Sequence, residues 1–184
     1  MKREKLMRAA GLAGAVVVAA LCVEGVRATD PSGFSGSTLA QGRFDDIDVA
    51  HQVLREFGDL TPKKDLWLSL QKTKGPSDLY VQSNEWAVGG STGWHTHPGH
   101  SLIIVTAGAV TTYAGDDASC TPTVYSSKAV NGTTNMGFVD SGGDHVHLIR
   151  NEGTTVARTI AVQLVPAGAT RRIDVSPGPA ACPF

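Results

Sequence analysis

Between residues 79 and 165 no apolar pattern lasts long enough to make an amphipathic helix. What recurs is shorter. Leu79 to Val88 sets Leu79, Val81 and Ser83 on one side and Tyr80, Gln82 and Asn84 on the other, the period-two alternation of a strand. Ser101 to Thr106 and Ala109 to Tyr113 flank Ala107-Gly108, a hairpin-like turn. Thr121 to Tyr125, Gly137 to Val139, Val146 to Arg150 and Thr154 to Val165 continue the series, separated by Gly, Asp, Asn and Pro. Short strands punctuated in this way predict an all-β fold, a sandwich or a small barrel. Upstream, Ser37 to Asp59 suits neither period, and early strands with a helical turn are expected there. Leu66 to Leu70 is a compact apolar segment.

The N-terminus reads as an export signal. Lys2, Arg3, Lys5 and Arg8 precede an apolar run from Ala9 to Val23, and Val26-Arg27-Ala28 offers small residues where a signal peptidase reads. The run falls short of the roughly 20 residues a membrane-spanning helix needs. Residues 1–28 are therefore expected to be a cleaved signal peptide, leaving a secreted, extracytoplasmic chain with no stable membrane span. The polar, small-residue stretch 29–36 is expected to be a flexible lead-in. Residues 37–175 form one expected domain, followed by a tail at 176–184.

The whole chain has 184 residues and a net charge of −1. Removing the signal takes five of 16 basic and two of 17 acidic residues, leaving a net charge of −4. No Lys/Arg stripe suggests a nucleic-acid partner. Two cysteines remain, Cys120 and Cys182. An even pair in an exported protein predicts a disulfide, here tying the tail to a mid-chain loop.

Five of the six histidines lie in two windows, residues 89–101 and 142–151. His95-Thr96-His97 on an extended segment places both imidazoles on one face. Two nitrogen donors on one face are half of a metal site, and a second strand across a barrel can complete it.

These windows resemble the two motifs of the cupin superfamily. The first motif is a Gly, five residues, His-x-His, three or four residues, Glu, six residues and Gly. Gly89, His95, His97 and Gly108 fall on that spacing, with Ser101 in the Glu slot. The second motif ends in His, three residues, Asn, matched by His147 and Asn151. Upstream of His147 the spacing is looser, and a one-residue bulge near Asp144 would account for it. The motifs span residues 89–108 and 137–151. The resemblance implies a double-stranded β-helix (jelly-roll) barrel and a divalent transition metal ion, Fe, Mn, Zn, Ni or Cu, held by His95, His97 and His147. It also implies a small-molecule ligand or substrate and a homodimer.

The Glu slot is the main departure, since the Ser101 hydroxyl is a poor fourth ligand. Three readings are open: a three-histidine site completed by water, as in dioxygenase-type cupins; a fourth nitrogen from His100 or His145; or a barrel that has lost its metal and binds a small ligand. Three neutral imidazoles would leave the ion's charge uncompensated and favour anionic or bidentate partners. Glu85, on the strand before the first motif, is a candidate general base if it faces inward. Asp144 is a candidate acceptor that orients a ligand imidazole. Trp94 is expected to pack away from the metal. Two functions follow from the pattern: a metal-dependent, oxygenase-like enzyme acting on a small molecule, or a non-catalytic module binding a metal or small ligand.

Overall fold

A computed structural model describes residues 30–56, 64–128 and 136–184. The expected signal peptide, residues 1–28, lies outside the described residues. Every described element is a β-strand. In chain order they are β1 (Ser32–Phe44), β2 (Asp48–Glu56), β3 (Lys64–Lys72), β4 (Ser77–Ser91), β5 (His95–Thr96), β6 (Ser101–Ala107), β7 (Ala109–Ala114), β8 (Thr123–Ser126), β9 (Gly137–Asp140), β10 (His147–Arg150), β11 (Ala157–Pro166) and β12 (Ile173–Asp174).

Ten of these strands form one antiparallel sheet that curls into a nearly closed barrel. The longest, β4, is its spine, with β1 along one edge and β11 along the other. From β11 the sheet continues through β6 to β9, and from the end of β4 through β10 to β5, β7 and their neighbours. β2 and β3 pair with each other as a separate ribbon.

The interior follows from strand alternation. On β6, Ser101, Ile103 and Val105 point inward while Leu102 and Ile104 face out. Ile103 and Val105 join Trp86, Val110, Ile149, Ala157 and Ala161 in the main core. A second cluster of Trp94, Tyr113, Leu148 and Cys182 closes the end beneath the second motif. Trp94 is thus a packing residue, buried away from the histidines' shared cavity.

Three expectations are corrected here. The lead-in expected at 29–36 is part of β1 from Ser32 onward, and the described part of the next segment, Ser37 to Glu56, holds the expected early strands and no helical turn. Small polar residues can form this strand because β4 supplies its ladder, and most of β1 faces solvent. Phe34 anchors it, its ring 4.9 Å from that of Trp86. In place of a strand bulge at Asp144, the loop from β9 to β10 turns through Gly142 (φ 66°) and Gly143 (φ 67°). A Cβ at Gly142 would run into the Gly99 carbonyl, so only glycine allows this loop to lie against the first motif.

The expected disulfide is present, joining Cys120 and Cys182 with Cα atoms 5.3 Å apart. Among the described residues, no helix is long and apolar enough to cross a membrane.

Candidate metal centre

β5 is only two residues long, yet it is fixed from both sides. It pairs with β12, and His95 lies directly opposite His147 on β10. His97 follows β5 in the loop that receives the glycine turn, where the Gly143 N–H donates to the His97 carbonyl at 2.7 Å. Asn151 holds the base of the second motif. Fully buried, its side-chain N–H groups donate to the carbonyls of Trp86, Ala87 and Thr155, and its oxygen accepts from Gly153 N–H.

The three motif histidines meet inside the barrel. One donor nitrogen from each of His95, His97 and His147 lies within 4.8 Å of the others. Their Nδ1 atoms face backbone carbonyls: His95 to Gly93 at 2.9 Å, His97 to Arg171 at 2.7 Å, and His147 to His145 at 3.4 Å. A carbonyl can only accept, so each Nδ1 carries the proton and donates it. In a neutral imidazole held this way, Nε2 carries the free lone pair. Burial is the main cause that pushes the His95 imidazole down to about 2, which keeps it neutral.

A fourth donor joins them that the motif reading did not single out. Asp140, at the end of β9, places Oδ2 2.9 Å from His97 Nε2 and 3.1 Å from His147 Nε2. Neither contact is a hydrogen bond, because Asp140 Oδ2 and His147 Nε2 are both buried without a hydrogen-bond partner. Asp140 Oδ2 and His147 Nε2 lie this close while buried and unpartnered, and a cation among them would relieve the repulsion between their lone pairs. The residues present therefore fit a divalent metal ion.

Of the other sequence candidates, Ser101 alone lies in the same cavity. Ser101 is buried and lines the cavity. His100 lines a separate depression with Leu164 and Pro166. His145 stacks on His147 with ring centres 6.2 Å apart, but its Nδ1 is turned toward Asp116. Neither supplies a fourth nitrogen. Asp144 is an exposed turn residue and orients no imidazole; backbone carbonyls do that instead. Glu85 faces out of the barrel and pairs with Arg158 at 2.7 Å, so it is not an internal base.

The cluster forms one wall of a cavity of about 210 Å³. Gln82, Asn84, Gln163, Arg171 and Arg172 add polar groups to its lining. Arg171 Nη1 and Gln163 Oε1 are buried there without hydrogen-bond partners. Sequence patterning missed Gln82, Asn84 and Gln163 because polar side chains on a strand are ordinarily read as its outer face, and Arg171 and Arg172 because they lie in the connection between β11 and β12.

The two histidine windows that resemble the cupin motifs thus meet inside an antiparallel β-barrel. No protein-family model and no curated protein matches the chain. Among solved structures, the chain is similar to a cupin superfamily protein from Desulfitobacterium hafniense, at 13% identity over 47% of this chain and 67% of that one, TM-score 0.38. It is also similar to a double-stranded β-helix protein from Klebsiella pneumoniae, at 18% identity over 52% and 70%, TM-score 0.41. A third likeness is to oxalate oxidase in complex with the substrate analogue glycolate, at 18% identity over 48% and 46%, TM-score 0.36. The chain thus spans less than half the length of that oxidase.

Proposed function

We propose that this protein is an exported metalloenzyme of the oxygenase-like kind. On this reading His95, His97 and His147 hold a divalent transition metal ion, and a small molecule binds beside it in the barrel. The observation that carries the reading is the common arrangement of the three imidazoles. Each Nδ1 proton faces a backbone carbonyl, which fixes the ring and leaves Nε2 as the inward donor. When bound, a divalent ion supplies Lewis acidity, and a redox-active one such as iron also supplies electrons for oxygen chemistry.

The rest of the work falls to the chain. Arg171 and Gln163 offer unpaired polar atoms to the cavity and suit a small oxygen-bearing molecule. Trp86, Ile103, Ile149 and Ala161 supply the apolar wall that limits access of water. No fourth imidazole closes the cluster among the described residues, which favours a reactive site over a sealed storage site. Export is supported by the disulfide and by the charged-then-apolar N-terminal sequence.

Elemental analysis of the purified protein beside a His97→Ala variant is the direct test. About one equivalent of metal in the wild type and none in the folded variant is expected, with oxygen uptake then screened on diketones, flavonols and thiols. Folded wild-type protein that takes up no metal on reconstitution would end the metalloenzyme reading. Stoichiometric metal with no turnover of any kind would leave a metal- or ligand-binding module instead.

A further inference from the structure

The structure assigns Asp140 as the fourth protein ligand of the metal centre, a carboxylate delivered from β9 in place of the missing Glu on β6. The inference rests on the three-histidine reading above and changes its donor set from three neutral nitrogens to three nitrogens and one anionic oxygen.

Register is the first support. Ser101, in the Glu slot, lies directly opposite Asp140 in the antiparallel pairing of β6 and β9. Opposed residues have Cβ atoms about 5 Å apart on the same face of the sheet, so a carboxylate on either strand can address the same point. Ser101 is small and buried, which leaves room for the Asp140 side chain.

Orientation is the second. Asp140 Oδ1 accepts from the Gly142 N–H at 3.2 Å, which pins the carboxylate by one oxygen. The other, Oδ2, is buried with no hydrogen-bond partner and sits between His97 and His147. Its separations from their Nε2 atoms are 2.9 and 3.1 Å. Two donors at right angles around an ion with bonds of about 2.1 Å lie about 3.0 Å apart. A buried carboxylate that merely balanced charge would accept a hydrogen bond, and this oxygen accepts none.

Charge is the third consequence. One carboxylate reduces the +2 of a divalent ion to a net +1 at the site, weakening its pull on anions relative to an all-imidazole centre.

Cobalt(II) binding tests the assignment, with visible absorption reporting the ligand set and chelator competition reporting affinity. Wild type should bind one cobalt and His97→Ala none. Asp140→Asn should lower affinity at least tenfold and change the spectrum. The double variant Ser101→Glu with Asp140→Asn, which moves the carboxylate to the facing strand, should recover much of the lost affinity. Wild-type affinity and spectrum in Asp140→Asn would overturn the assignment while leaving the three-histidine site standing. No cobalt in folded wild type would overturn both. Should Asp140→Asn fail to fold, the double variant decides: cobalt binding supports the exchange, and a folded protein that binds none refutes it.

Discussion

At the scale of single residues, a buried charge reveals its surroundings through pH. Asp78 on β4 accepts Arg43 Nε at 2.7 Å and Nη2 at 2.8 Å, and also the Gly168 N–H at 3.0 Å. The hydrogen bond from Arg43 is the main cause that lowers its carboxyl to about 2. A carboxyl depressed in the folded state contributes stability that is complete above its unfolded value, about 4, and is lost as pH falls toward 2. Thermal unfolding should therefore weaken more steeply between about pH 4 and pH 2 in wild type than in Asp78→Asn. Equal slopes would show that the pair contributes nothing. Arg43 is largely solvent-exposed, so added salt should shrink the effect. Residues also set the limit of what the sequence disclosed. His95 and His97 were legible because period two fixes their shared face without further information. Asp140 was not, since its place depends on the register of β6 against β9, two strands separated by more than a hairpin. Glu85 failed for a related reason. On β4 the polar Gln82 and Asn84 face inward because the interior is a site, so the even positions line the cavity and Glu85 is turned out.

At the scale of elements, the β9–β10 loop decides where two of the proposed ligands stand. It carries Asp140 at its entrance and His147 at its exit, and it docks on the His97 loop through Gly143 N–H and the Thr96 hydroxyl. Gly142 and Gly143 share a left-handed conformation but differ in space. A Cβ at Gly143 meets nothing, whereas at Gly142 it would strike the Gly99 carbonyl and lie 2.9 Å from that of His97. Gly143→Ala should thus cost only the backbone penalty, about 1–2 kcal/mol. Gly142→Ala should cost about 3 kcal/mol or more and also loosen metal binding, because the loop must lift away from His97. Denaturant unfolding with a metal titration of both variants separates these outcomes. Similar losses in the two would mean that the loop's close seat is unimportant. The sequence showed glycines here, but a bulge and a turn both accommodate the same spacing. Only the close approach to Gly99 distinguishes them. β1 shows the converse: its polar sequence resembles a linker, and its partner β4 makes it a strand.

At the scale of the whole molecule, the C-terminal segment acts as a clasp on the histidine cluster. The Arg171 carbonyl receives the His97 Nδ1 proton, β12 pairs with β5, and Val175 N–H donates to the Trp94 carbonyl at 3.0 Å. Farther along, Cys182 is buried against Trp94, Tyr113 and Leu148, and the Phe184 ring lies 4.7 Å from that of Tyr113. The Cys120–Cys182 bond spans 62 residues of sequence. A loop of that length corresponds to about 4 kcal/mol in the chain-entropy account. In a protein of this size, losing it should lower the melting temperature by roughly 8–16 °C. The paired variant Cys120→Ser and Cys182→Ser should show that drop in a thermal melt and should release metal to a chelator faster than wild type. The second effect is the more telling one. A disulfide that only restricted the unfolded chain would lower the melting temperature and leave metal release unchanged. Faster release in folded protein below its transition would instead mean that the bond holds the clasp that orients His97. An oxidising compartment would then be needed to complete the metal site as well as to stabilise the fold.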